Sequence, residues 1–304
     1  MTLPLKDLPN INEAFEALHK EMNYLDKRFM AIAMDYNFYI GNSSNQDYIY
    51  ELRDNISYRL FCANLHLELL IRQHNIIESR FERIYKEDPH KINTDIYPSN
   101  PIFDDAEKEI SAIFDSLIYH LVSIFDYLGT LTNFICGEKK QETMSWTRLA
   151  NSVRKEDNHF YKTSIAGLVS QIDNDFVKKL YDHRSHLIHR KAEINRSHIK
   201  YTLVEGRFNV SYVSTNSLNK QFSIFRKESK EFALTIKYVA FWLSKKSILE
   251  ISNILFALSK ELELNRSPNH FGRGMLDETT KRLIPASENY WYKSEFENLK
   301  NTFE

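Results

Sequence analysis

A chain of 304 residues that is 42% hydrophobic and 13% aromatic is long and apolar enough to bury a core of its own without disulfide or metal staples. Its net charge of −1 gives no global attraction to nucleic acid, and 7 glycines, about 2% against a typical ~7%, argue against glycine-turn β folds and glycine-cradled nucleotide sites. A mean hydropathy of −0.47 argues against a membrane-embedded protein, and the composition reads as a helical protein with an aromatic core.

The opening MTLPLKDLPN is broken by Pro4 and Pro9 and lacks an apolar run, so it does not read as a secretory signal. Phe15, Leu18, Met22, Leu25 and Phe29 then recur at helical spacing and predict a helix over about 11–39, ended by Gly41-Asn42-Ser43-Ser44. A second long helix is predicted over about 47–85, with Leu52, Ile56, Leu60, Ala63, Leu67, Leu70 and Ile77 as its stripe. Asp88-Pro89 and Pro98-Ser99-Asn100-Pro101 read as a loop. Asp104 or Asp105 is expected to cap the third helix and Gly137 to end it. That helix is the most apolar segment, yet Asp115, His120 and Asp126 inside it read as a buried helix and not a bilayer span.

A short helix is expected near 146–154 and a longer one from about Asp173 to Glu193. His198 to Ser214 then alternates β-branched and aromatic residues about Glu205-Gly206-Arg207, the pattern of a β-hairpin. Helical spacing returns from about Glu228 to Leu264, and the last forty residues read as a loop and a short helix or tail containing Tyr290-Trp291-Tyr292. The expectation is an all-α bundle of long helices over 1–264, with a small late hairpin at about 198–214 and an appendage at 265–304. Cys62 and Cys136 match no C-x-x-C pair and are expected as reduced thiols of a cytoplasmic protein.

The unusual segment is Tyr181-Asp-His-Arg-Ser-His-Leu-Ile-His-Arg-Lys191. It holds three of the 11 histidines, and residues 178–200 carry +5 in a chain of net −1. On a helix, Phe176, Leu180, His183 and Leu187 share one stripe, so His183 reads as a core-edge histidine. Asp182, Ser185 and His189 fall on roughly the opposite face, with His186 near its margin and Arg184 beside Tyr181. A merely solvated face would more often use Lys and Glu, so this one reads as prepared for a partner or substrate. His183, His186 and His189 fan over about 120° with no carboxylate or thiolate to complete a shell, which argues against zinc. The chain contains no G-x-x-x-x-G-K-[ST], G-x-G-x-x-G or G-x-S-x-G, so ATPase, dinucleotide and α/β-hydrolase readings lack support.

Arg184-Ser-His-Leu-Ile-His189 resembles the R-x4-H signature of the HEPN superfamily, with a polar residue directly after the arginine. That resemblance implies an α-helical bundle and a metal-independent endoribonuclease acting as a homodimer, with RNA as substrate and no cofactor. It implies Arg184 and His189 as the catalytic pair. Asp182, Ser185, His186 and Asp126 are expected to support them, Arg190 and Lys191 to bind RNA, and the dimer to form through the face around His189. A toxin or phage-defence role, with an antitoxin or other regulatory partner, belongs to the same implication. A subgroup of toxins carries a tyrosine two residues after the histidine; here Lys191 stands there, so that form of regulation is not expected. The alternative is a non-catalytic member, a helical module binding nucleic acid, nucleotide or protein.

Overall fold

The computed structural model describes residues 3–8, 10–41, 46–92, 101–137, 142–189, 197–202, 207–266 and 274–289; at 46, 92, 189, 197–202 and 207–209 it describes the backbone only. The fold is all-α with small β elements. The helices are α1 (Ile11–Tyr39), α2 (Gln46–Glu87), α3 (Pro101–Cys136), α4 (Trp146–Ser152), α5 (Ala166–Ile172), α6 (Lys178–His189), α7 (Asn216–Gln221), α8 (Ser223–Glu228) and α9 (Ile236–Leu264). The strands are β1 (Leu5–Lys6), β2 (Ser197–Thr202), β3 (Arg207–Tyr212), β4 (Ala233–Leu234), β5 (Met275–Leu276) and β6 (Leu283–Ile284).

Local chemistry sets the ends of these elements. Gly41, at φ 98°, follows α1 in the left-handed conformation that glycine adopts without strain. Pro101 opens α3 where its missing N–H has no intrahelical partner to lose, so the helix starts three residues before the aspartates expected to cap it. Gly137 closes α3 by donating its N–H to Asn133 O at 2.7 Å. Ser145 and Thr215 cap α4 and α7 by accepting the N–H of Arg148 and Leu218.

The chain divides into two compact units. One contains residues 1–10, 62–119 and 179–243. Within it β1 pairs in parallel with β4, and β2 pairs antiparallel with β3 in the register Ser197↔Tyr212 to Thr202↔Arg207. Glu78 on α2 accepts the Val210 N–H at 3.0 Å and so fastens the hairpin. Phe222, Phe225 and Trp242 form an edge-to-face cluster with centroids 4.8–5.5 Å apart. Glu228 takes the Lys6 ammonium at 2.6 Å and the Tyr238 hydroxyl at 2.9 Å.

The other unit contains residues 11–61, 120–178 and 244–304. Its core is built on α1, where Leu18, Leu25, Phe29, Ile32 and Tyr36 are buried. Tyr36 and Tyr48 pack on Phe134, and Phe125 packs on Trp146 and Phe176. Asp35, fully buried, accepts the N–H groups of Ala286 and Ser287 at 2.6 and 3.3 Å, and so holds the 3-10 turn Ala286–Glu288. Among the described helices α3 alone is long and apolar enough to cross a membrane, and half of its apolar window is buried in the protein.

The differences from expectation have physical reasons. The helix expected from Glu228 begins at Ile236, because β4 is pinned at 233–234 by the distant β1. Residues 216–228 form α7 and α8, whose Leu218, Phe222 and Phe225 are buried. The described part of the C-terminal segment is the β5–β6 hairpin and a 3-10 turn. Tyr290, Trp291 and Tyr292 lie outside the described residues.

Candidate functional site

Helix α6 carries the R-x4-H segment, and the way the chain enters it is unusual. Between α5 and α6 one turn, Asp173–Val177, is a π-helix, with the Lys178 N–H donating to Asp173 O five residues back. Such a turn inserts a residue into the helical frame and re-aims every side chain after it; π turns recur at functional sites. Asp173 anchors it. Its buried carboxylate accepts Trp146 Nε1–H at 2.9 Å and Arg154 Nη2–H at 2.6 Å, and Arg154 also reaches Asn174 at 3.0 Å. From Phe176, inside the π turn, onward the expected core stripe is kept. Phe176, Leu180 and His183 are buried and Leu187 is half-buried, so His183 sits on the core stripe. Asp182 and Ser185 are exposed and His186 is half-buried.

Arg184 is half-buried. Its guanidinium carbon lies 5.7 Å from the ring centroid of Tyr119 on α3, within cation–π range, and its Nε is buried with no hydrogen-bond partner among the described residues. An aromatic face holds the guanidinium without occupying its donors, as a phosphate-binding arginine requires. His189 closes α6, five residues on. Five residues on an α-helix amount to ~140° of rotation and ~7.5 Å of rise, so the two positions do not stack on one face. Groups so placed converge on a phosphate only where it lies in a cleft between them. The side chain of His189, and all of Arg190 and Lys191, lie outside what is described.

Asp126 belongs to the other unit, and its Oδ1 accepts the Trp146 N–H at 3.2 Å, at the start of α4. Its described contact is thus with a helix terminus. Asp115 and Asp126 lie on either side of Tyr119 in the sequence of α3, and it is Tyr119 that meets Arg184. Among the described residues no group of three or more His, Cys, Asp and Glu could hold a metal ion.

Sequence reasoning missed two buried polar arrangements. One is Asp173 with Trp146 and Arg154. The other lies on α2, where His74 is buried, its Nδ1 lies 2.7 Å from the Leu70 carbonyl oxygen, and its ring stands edge-on to Tyr212 at 5.0 Å. Burial pushes the His74 imidazole down to about 4 and pushes the Tyr212 phenol up. Neither arrangement has a spacing signature, since each joins residues from separate elements. Compared with protein-family models, curated proteins and solved structures, the chain has no match.

Proposed function

We propose that the protein is a metal-independent endoribonuclease with Arg184 and His189 as its catalytic pair. The observation that carries the reading is Arg184: a guanidinium steadied on the Tyr119 ring, its buried Nε lacking a hydrogen-bond partner among the described residues, five residues before a histidine at the end of the same helix. The R-x4-H resemblance supports the same reading, as does the +5 charge over 178–200.

The chemistry follows from these two groups. A neutral His189 imidazole takes the proton of the RNA 2′-OH, and the freed oxygen attacks the adjacent phosphorus. The Arg184 guanidinium binds the non-bridging oxygens, where negative charge grows in the pentavalent state. The bond from phosphorus to the 5′-oxygen breaks, that oxygen takes up a proton, and a 2′,3′-cyclic phosphate remains on the upstream fragment. The resemblance places two such pairs together in a homodimer, so that one histidine serves as base and the other, protonated, as acid.

The test is an RNA oligonucleotide cut in excess EDTA, beside the same strand with a single 2′-deoxy nucleotide at the cut position. The expected result is cleavage with a cyclic phosphate end, abolished at the deoxy position, since no nucleophile remains there. Binding without cleavage in both strands points instead to the non-catalytic binding module. Cleavage restored only by a divalent ion points to a metallonuclease.

A further inference from the structure

Helix α2 carries a second surface, on the side opposite its core face. The buried stripe of Leu52, Ile56, Leu60, Ala63, Leu67 and Ile77 already supplies what the fold requires of this helix. Roughly 170° around the axis lies another stripe at three- and four-residue steps, confined to about 80° of the circumference. It is ordered by chemistry along the axis. Asp47, Glu51 and Asp54 come first, then Tyr58, Phe61, Leu65 and Leu69, then Arg72, Ile76 and Arg83, and all are exposed. Tyr58, Phe61, Leu65, Leu69 and Ile76 are between 38% and 62% exposed. Together they present roughly 400–500 Å² of apolar surface, the size of the largest patch on a typical monomer. The stripe is a property of one uninterrupted helix and depends on no other element.

We infer that this stripe joins two copies of the chain, α2 lying antiparallel on the α2 of a second copy, with the two-fold axis near Leu65. The order of charges selects this occupant. Reversing one copy about Leu65 sets Asp47 opposite Arg83, Glu51 opposite Ser79 beside Arg80, and Tyr58 opposite Arg72, with Asp54 against Ile76, Phe61 opposite Leu69 and Leu65 meeting itself. Such an isologous contact repeats every pair twice. A parallel pairing would instead stack acid on acid and arginine on arginine. The basic end also offers an open groove of about 530 Å³ lined by Asn75, Ile76, Ser79, Arg80 and Arg83, where the acidic end of the second copy lands. Asp54 and Arg72 are exposed, while their local partners Arg53 and Glu68 are half-buried, so each keeps an outward side free for a contact across the axis.

Size agrees as well. From Asp47 to Arg83 the stripe runs about 54 Å at 1.5 Å per residue. A helix pair of that length covers on the order of 800 Å² per copy, the standard size for a stable interface. A membrane-lying helix would carry basic residues along both polar edges, whereas this face begins with three acids. On α6, the face expected to bring two R-x4-H segments together, Ile188 is the one large apolar side chain exposed among the described residues, so the α2 stripe is inferred as a contact distinct from the α6 face that the two-pair site uses. The inference does not rest on the ribonuclease reading; association state reads the one and RNA cleavage the other.

The experiment is light scattering and sedimentation of the full chain at tens of micromolar. Wild type is expected at about 72 kDa, twice 36.1 kDa. Leu65→Asp and Phe61→Asp should give monomers with unchanged helical circular dichroism. Asp47→Arg and Arg83→Glu should each weaken dimerisation by roughly tenfold, and the two together should restore it, which reads the antiparallel orientation without touching the apolar centre. A monomeric wild type overturns the inference. So does a dimer indifferent to Leu65→Asp, or a charge-swapped double variant no tighter than either single one.

Discussion

Asp173→Ala tests whether the π turn at the entrance to α6 is held by its buried carboxylate. The wild-type carboxylate satisfies the Trp146 indole N–H, which is fully buried, and the Arg154 guanidinium, whose side chain is 35% exposed. Without it the indole N–H is left buried and unsatisfied, at about 1–3 kcal/mol. Arg154 recovers water, so loss of the ion pair adds about 1 kcal/mol at most. The sum is about 3 kcal/mol. Asp173→Asn keeps one oxygen for the indole but turns an amide toward the guanidinium, so about 2 kcal/mol is expected. Arg154→Met should lose a similar amount by stranding the carboxylate, and the double variant Asp173→Asn/Arg154→Met should lose at least about 1 kcal/mol less than the sum, since the two report on one contact. Urea unfolding followed by circular dichroism measures each change at fixed pH. Asp173→Ala within about 0.5 kcal/mol of wild type, or strict additivity in the double variant, would refute the reasoning.

Gly129→Ala should destabilise despite alanine's better helix propensity, worth about 1 kcal/mol, because its Cβ would stand 2.6 Å from Met144 O and 3.0 Å from Ser145 C, both backbone; a raised melting temperature contradicts this. His74, pushed down to about 4 by burial, is neutral in the native state where the unfolded chain takes a proton, so stability should fall as pH drops from 6.5 toward 4, by about 3 kcal/mol in all. Non-titrating His74→Leu should lack this component, and parallel pH profiles for the two proteins would count against it. Asp35, raised to about 6 mainly by burial, acts in the opposite sense: the native state binds its proton more tightly, so the stability of wild type relative to Asp35→Asn should rise by up to about 3 kcal/mol as pH falls from about 6 to 3.8. A difference that stays flat across that window contradicts the burial of this carboxylate.

The long helices were legible because their apolar residues recur over many turns; α1 and α2 lie within two residues of the bounds their periodicity predicts. The hairpin was legible from alternation about Gly206, and its paired strands span 197–202 and 207–212. What escaped was set by partners far along the chain. The β1–β4 pair joins residues 228 apart and cuts short a helix that local spacing would extend back to Glu228. The π turn breaks the 100° phase within a continuous helix, which no window of residues announces. For the site, the placing of His183 on the core stripe and of Asp182 and Ser185 outside it followed from helix geometry alone. The ring that holds Arg184 is Tyr119, 65 residues earlier, and no spacing rule connects them.

The ribonuclease reading turns on two side chains, and one comparison addresses both. Purified wild type, Arg184→Ala and His189→Ala are incubated with mixed RNA in excess EDTA at neutral pH, with folding checked by circular dichroism. Wild type should cleave, its rate falling on the acid side as the histidine base is protonated, and each variant should lose on the order of 10²-fold or more while remaining folded. Wild type and His189→Ala cutting at equal rates, or cleavage by wild type that appears only when zinc, magnesium or manganese is added, would contradict the account.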